Sequence, residues 1–335
     1  MYFFRNLLYK IVDIDNRKLT IYTLVFIFTN ALLFTIIEPE TFPNLFISLW
    51  YVLVTMTTVG YGDVYPTTVI GKIFGIFLFG TGIALGGVII GKVVESFTMY
   101  KRRREEGKLE YKHKNHIVII GWNSKTDAAI EEILSDEKAE VVIIDQLEKA
   151  PYLKERVYYI QGSPTKKETL YMANIQHAKA CIVFADEKIR DFDDRDAKSL
   201  LTISTIESIS EGIYTIVEIM NPDHTENFKH NKVEKFLYPQ STISHMAVQE
   251  AMNHGILEVF NQLGSVQHGV NLYIIERKKS WITYKDAFMD LLNIGATLLA
   301  DGKDMDINTK LDKKISEQSK LIILCTEEIY RRNFL

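Results

Sequence analysis

Residues 19 to 37, LTIYTLVFIFTNALLFTII, hold no charged side chain, and residues 69 to 91, VIGKIFGIFLFGTGIALGGVIIG, hold only Lys72. A bilayer core calls for roughly 20 apolar residues of helix, because lipid offers no partner to an unpaired amide. Two such stretches in close succession constrain the chain to cross a membrane twice, with spans predicted at about 19–37 and 69–95. Composition alone hides this: 47% hydrophobic and 24% charged residues match an average soluble protein. The apolar residues are concentrated before about residue 98, so the first part reads as membrane protein and the rest as soluble protein.

Basic residues set the orientation. Arg5, Lys10, Arg17 and Lys18 precede the first span and KRRR at 101–104 follows the second. Both termini are therefore expected in the cytoplasm, with the loop from Glu38 to Thr68 outside and the protein multi-pass in a plasma (inner) membrane. The opening MYFFRNLLYKIVDIDNRK scatters charges and lacks a small-residue cleavage pattern. It reads as an amphipathic segment in contact with membrane lipid and not as a secretory signal. The 39 Lys plus Arg against 43 Asp plus Glu leave a formal charge of -4, and no nucleic-acid partner is expected. Cys181 and Cys325 lie inside the apolar runs ACIVFA and LIILCT, as buried thiols of a reducing compartment do.

Between the spans, PNLFISLWYVLVTMT has apolar and aromatic residues at helical spacing but is too short to cross again. A re-entrant helix over 44–57 fits, and the irregular backbone that follows is tolerated at membrane depth only inside protein or along an aqueous path. Gly60 and Gly62 admit positive φ, so the carbonyls of Thr58, Val59, Gly60 and Tyr61 can point to one side and replace a cation's water shell.

These residues carry a resemblance. TTVGYGD is similar to the selectivity filter of potassium channels, and SLWYVLVTMTTVGYGDVYP follows that family's pore helix, filter and exit loop in order. The resemblance implies a filter over 58–63 comprising Thr58, Val59, Gly60, Tyr61, Gly62 and Asp63. K+ would be held by the Thr58 hydroxyl and the carbonyls of Thr58 to Tyr61, with Asp63 at the outer mouth. Trp50 and Tyr51 would form an aromatic cuff bracing Tyr61, and the C-terminal end of the pore helix would favour a cation in the cavity below. One chain supplies a quarter of such a filter, which implies a homotetramer. Val54 stands where some members pair a glutamate with the aspartate after the filter, so gating through that pair is not expected. The other reading of the stretch is a glycine-rich turn between two anchoring helices.

Glycines 80, 82, 86, 87 and 91 punctuate the second span and serve either close packing or a hinge. By the resemblance, Gly82 falls at the hinge of ligand-gated two-helix channels, and packing is the expectation for the other four.

After a charged linker over 99–114, the pattern becomes HIVIIGW, SKTDAAIEEILS, AEVVIID, VYYIQG and ACIVFA. Short buried strands alternating with helices indicate a doubly wound parallel sheet over 115–242. Asp145 ends the second strand 24 residues after Gly121, as an acidic ribose ligand would, but the loop GWNSKT keeps only the first glycine of a dinucleotide fingerprint. Gly121 and Asp145 are thus candidates for an adenine nucleotide on half a motif.

Together with the pore, HIVIIGWNSKT, IQGSPTKKETLYMANIQHAKACIVFAD and IYTIVEIMNPDHTENF resemble the regulator-of-potassium-conductance domain of calcium-gated potassium channels. The resemblance implies paired domains in a gating ring that pulls the inner helices open, with crossover helices over 243–263 and a small α+β subdomain over 264–335 in which VNLYIIE and KLIILCT are strands. A ring of eight needs four soluble copies beyond those of a tetramer, and Met99 stands where such a copy could start. For Ca2+, the carboxylates Asp186, Glu187, Asp191, Asp194 and Glu218 are the candidate ligands. Met220 takes the place of a second carboxylate expected after the fifth strand, so the relatives' site does not carry over intact, and the acids of ADEKIRDFDDRDA serve equally as a solvated loop capping the next helix. His113, His116, His224, His230 and His254 show no metal spacing.

The expected fold is an α-helical two-transmembrane pore domain, tetrameric, over 1–98, joined to an α/β Rossmann-like cytoplasmic domain with a small α+β C-terminal subdomain. The expected function is passive, potassium-selective conduction opened or closed by a cytoplasmic ligand, calcium first and nucleotide next. No nucleophile–base constellation points to an enzyme. The rival readings are a membrane-anchored ligand-binding regulatory subunit and a membrane-tethered Rossmann oxidoreductase without a pore.

Overall fold

The computed structural model describes residues 15–265 and 269–334, so the amphipathic opening predicted over residues 1 to 18 lies for the most part outside the described residues. The chain divides into two compact units, 1–102 and 103–335.

Among the described residues, the first unit holds three helices: α1 (Asn16–Ile37), α2 (Leu45–Met56) and α3 (Val69–Glu105), the last running past the unit boundary. The apolar windows of α1 and α3 are long enough to cross a membrane, yet only 22% and 17% of them is buried within the chain. Ile21, Phe28, Phe46, Ile76 and Phe97 all stand more than half exposed. At roughly 1.5–3 kcal/mol per large apolar side chain kept from water, such surfaces demand lipid or further protein as cover. What is buried is a small cluster of Ala31, Phe34, Phe42, Val52 and Leu78. It pins α2 against α1, aided by a 2.7 Å hydrogen bond between the Thr35 and Ser48 hydroxyls.

The second unit opens with a six-stranded, all-parallel sheet in the order β3-β2-β1-β4-β5-β6: β1 (Ile117–Ile120), β2 (Val141–Asp145), β3 (Val157–Gln161), β4 (Ala180–Val183), β5 (Tyr214–Glu218) and β6 (Lys235–Leu237). Strand order reverses between β1 and β4, the switch point of a doubly wound fold. α4 (Ser124–Ile133), α5 (Lys167–Met172) and α6 (Phe192–Glu207) lie among these strands in sequence. Five consecutive buried residues in β2 show why the strand reads as an unbroken apolar run: both faces of the sheet are covered. Cys181 sits in this core. β6 is short and was not singled out from sequence, being three residues with none buried.

Beyond the sheet come α7 (Pro239–Met252) and α8 (Ile256–Gly264), neither with a buried residue. The final subdomain is an antiparallel sheet in the order β7-β9-β8, from β7 (Asn271–Glu276), β8 (Thr297–Asp301) and β9 (Lys320–Cys325), with α9 (Tyr284–Asn293) and α10 (Glu327–Phe334). Trp281, Tyr284, Leu291, Leu321, Ile323 and Cys325 form its core. Both cysteines are buried and free.

Candidate pore and regulatory sites

In the first unit, α2 is capped by Asn44, whose side-chain oxygen accepts from the Ile47 amide at 3.0 Å. The chain then leaves the helix with left-handed backbone at alternate residues: Thr58 at φ 62°, Gly60 at 56° and Gly62 at 73°. The amides of Val59 and Gly60 both turn back to the Val54 carbonyl, at 3.0 and 3.3 Å. Among the described residues, no carbonyl from Thr58 to Tyr61 accepts a hydrogen bond within the chain. Alternation of backbone hand is what turns successive carbonyls to one side, and Thr58 adopts it without being glycine, at a cost of about 1–2 kcal/mol.

Trp50 stacks on Tyr61 with ring centroids 5.7 Å apart and planes 3° from parallel, and its Nε1 donates to Asp63 at 2.8 Å. Tyr51 is the other residue of the expected cuff. Within one chain its ring packs on Phe34 and Phe42, 5.0 and 5.1 Å away, and not on Tyr61, because residues adjacent on a helix point about 100° apart.

Glu38, which sequence reasoning passed over, is 3% exposed at the end of α1. It accepts from the Thr67 and Thr68 amides at 3.0 and 2.8 Å, the orphan donors at the start of α3, and from the Thr68 hydroxyl. The signal was an acid directly at the outer end of an apolar span.

α3 is continuous through Gly82, which is buried: a Cβ there would lie 3.3 Å from Met56 Cγ. Gly86 also faces Met56, whereas Gly80, Gly87 and Gly91 have open space. Within one chain, Gly82 and Gly86 are the glycines of α3 that face Met56 at the end of α2.

In the second unit, Gly121 and Asp145 do meet at the switch point, but each is already engaged. Asp145, 8% exposed, accepts from the Trp122 amide at 2.8 Å, the Gln146 amide at 2.6 Å and Lys188 Nζ at 2.7 Å. Asn123 caps α4 by accepting from the Lys125 and Thr126 amides at 2.9 and 3.1 Å, and Thr126 Oγ1 accepts from the Asn123 amide. The helix N-terminus that would cradle a pyrophosphate is satisfied from within. The cavity here, lined by Gly121, Asp145, Asp186, Lys188, Arg195 and Lys198 among others, measures about 100 Å³, well under the several hundred of an ordinary ligand pocket.

The proposed calcium ligands are not brought together. Glu218, 2% exposed, accepts from Lys125 Nζ at 2.7 and 2.9 Å and from the Ala185 amide at 2.8 Å. Lys125 also lies 3.1 Å from Glu187. Asp186 is held 2.5 Å from Lys198. Burial opposes its charge, yet the hydrogen bonds from Lys198 and the Lys188 amide prevail and hold its carboxyl below the usual range. Asp191 caps α6 through the Asp193 and Asp194 amides, and Asp194 is exposed. Among the described residues, no three acid, histidine or cysteine side chains are grouped to hold a metal. Asp186, Glu187, Asp191 and Glu218 each face a lysine or an amide. Asp196 illustrates the same economy, accepting from the Met220 and Asn221 amides and 2.9 Å from His224 Nδ1.

Two apolar helices flanking a short third one, followed by a doubly wound parallel sheet and an antiparallel subdomain, define a membrane protein with a channel-like segment and a Rossmann-like regulatory domain. The ion-channel family matches residues 21–99, and the TrkA-N domain family matches residues 117–239. The chain is 31% identical over 215 residues to YugO of Bacillus subtilis, named a candidate potassium channel protein, covering 64% of this chain and 65% of that one. It is 25% identical over 302 residues to TvoK of Thermoplasma volcanium, named a calcium-gated potassium channel, covering 87% and 86%. The chain thus spans just under two thirds of YugO and most of TvoK. A solved structure of the GsuK channel shares the fold at 19% identity, with a TM-score of 0.50 over 70% of this chain and 62% of that one. The chain thus joins a segment similar to the ion-channel family to one similar to the TrkA-N family, and is similar across both to proteins named as potassium channels.

Proposed function

We propose that four copies of this chain form a potassium-selective channel, each contributing residues 58–63 to one filter, with both termini in the cytoplasm. The observation that carries the reading is the alternating left-handed backbone at Thr58, Gly60 and Gly62, with carbonyls free of partners, at the end of a short apolar helix between two spans. K+ passes down its own gradient, shedding water onto the Thr58 hydroxyl and the carbonyls of Thr58 to Tyr61. Asp63, held by Trp50, fixes the outer mouth. Conduction is passive and no catalysis is involved.

The TrkA-N domain acts as the regulator, in a ring completed by soluble copies starting near Met99, and moves α3, with Gly82 as the point of bending. Calcium, which the name of TvoK carries, reaches Glu218 only when Lys125 leaves it. A nucleotide at Gly121 and Asp145 requires Lys188 and the Asn123 cap to withdraw. Recording purified protein in a planar bilayer under a potassium-to-sodium gradient, while stepping calcium and then an adenine nucleotide on the cytoplasmic side, tests the scheme. A reversal potential near that of potassium is the expected result. Currents indifferent to the cation gradient would sink the filter assignment.

A further inference from the structure

The segment between α3 and β1 is sewn onto the domain. The carbonyls of Glu105 and Gly107 accept from the Ala150 and Gln161 amides at 2.7 and 3.0 Å. The Tyr111 and Asn115 amides donate to the carbonyls of Met172 and His177, each at 2.8 Å, and Asn174 Nδ2 donates to the His113 carbonyl at 2.8 Å. At the centre of this seat Tyr111, 4% exposed, lies edge-on to His116 at 4.4 Å and to Tyr158 at 4.8 Å. The Tyr111 hydroxyl donates to Glu140 at 2.6 Å, and His113 Nδ1 lies 3.0 Å from the same oxygen.

His116 is 1% exposed. Its Nε2 donates to the Ala173 carbonyl at 3.0 Å, which leaves Nδ1 with the lone pair. Among the described residues, Nδ1 of His116 is the one buried side-chain polar atom without a hydrogen-bond partner. Such an orphan is uncommon in a folded protein and calls for a reason. Protonation would place a charge and an N–H with no acceptor in a site closed to water.

We infer that the seat of residues 106–116 is a proton-operated latch with His116 as its titrating element, so that acid on the cytoplasmic side loosens the segment joining α3 to β1. The groups facing His116 act in opposite directions. Glu140 favours the proton, while His113 and His177 disfavour it; Tyr111 stands between His116 and both Glu140 and Tyr158, the latter under the Arg104 guanidinium. Burial is the largest influence and pushes the imidazole below its ordinary value, against the Ala173 carbonyl and Glu140. Burial also opposes the charge on Glu140, but the hydrogen bonds from Tyr111 and His113 prevail and hold that carboxyl low. A histidine depressed in the seated state contributes fully above the free imidazole value of about 6.5. That contribution is lost as the pH falls toward the seated value, because the released state takes the proton more readily.

The latch rests on the channel reading only for its consequence, so its test reads the seat itself. Hydrogen–deuterium exchange of residues 106–116 in the full chain, corrected for the intrinsic rate, should rise about tenfold between about pH 7.5 and about pH 5.5, the gain a single free imidazole allows. His116→Phe, which keeps a ring and removes the titration, should abolish that rise, and His113→Asn should retain it. Should His116→Phe not fold, Glu140→Gln serves, because loss of the facing charge should move the midpoint to lower pH. No rise in the wild type, a rise that survives His116→Phe, or a midpoint unmoved in Glu140→Gln overturns the inference. A bilayer without potassium current at any pH, beside the expected exchange result, would remove the channel reading and leave the latch.

Discussion

The pore segment and the switch point of the cytoplasmic sheet are both irregular, polar stretches beside apolar elements, and they treat their polar groups in opposite ways. From Thr58 to Tyr61 the amides of Thr58, Val59 and Gly60 fold back on α2 while the carbonyls stay free. Around Gly121 the donors and acceptors are consumed locally: Asp145 by Trp122 and Lys188, the start of α4 by Asn123, Glu218 by Lys125. The proposed filter has to offer unpaired acceptors to a passing ion, whereas the switch point has its carboxylates and helix start paired from within. The difference teaches that a free group marks a working surface, and a satisfied one marks a state that a ligand has to break.

The largest effect expected on this contrast comes from Gly62→Ala. A Cβ at φ 73° costs about 1–2 kcal/mol and turns the neighbouring carbonyls out of line. Potassium over sodium selectivity, read as a reversal potential, should collapse while the thermal unfolding of the TrkA-N domain is unchanged. Retained selectivity would break the comparison on the pore side.

Next in size is Lys125→Met, which strips a buried carboxylate of its counter-charge. Breaking a buried pair from one side costs about 3–5 kcal/mol, and the lower end applies because Lys125 is 35% exposed on its side chain. Thermal unfolding of the full chain should reveal that loss, and millimolar calcium should restore part of it if Glu218 and Glu187 take a metal in place of the ammonium. A neutral outcome without calcium would mean that Glu218 finds other partners.

Smallest is Asn123→Ala. It removes the cap of α4, worth about 1 kcal/mol, and frees the Lys125 and Thr126 amides. An adenine nucleotide, undetectable or weak on the wild type by calorimetry, should then bind more tightly. Weaker binding than wild type would show that Asn123 belongs to the nucleotide site.

Much of the fold was legible. The uncharged runs marked α1 and α3, and the first five strands of the parallel sheet stood out as short apolar runs. The extra length of α3, to Glu105, was not separated from the linker, since KRRRE suits a solvated helix as well as a loop. β8 escaped notice because TLLAD follows a helix with only Ile294, Gly295 and Ala296 between. Of the site, the backbone at Gly60 and Gly62 and the stacking of Trp50 on Tyr61 followed from a motif read in order along the chain, whereas the hydrogen bond from Trp50 to Asp63 was not foreseen. The carboxylates of 186–194 were grouped because they are close in sequence, and sequence proximity does not aim side chains at one point.

The partners that decide the cytoplasmic site lie far apart along the chain: Lys125 and Glu218 are separated by 93 residues, and Lys188 and Asp145 by 43. Glu38 meets Thr68 across 30 residues in the same way. Sequence by itself determined what depends on local physics: span length against bilayer thickness, strand and helix periodicity, and the positive φ open to Gly60 and Gly62. Tertiary structure alone decided which charges are spent, because a lysine's counter-ion is chosen by the sheet order that sets β1, β4 and β5 side by side, and no stretch of residues encodes that neighbourhood.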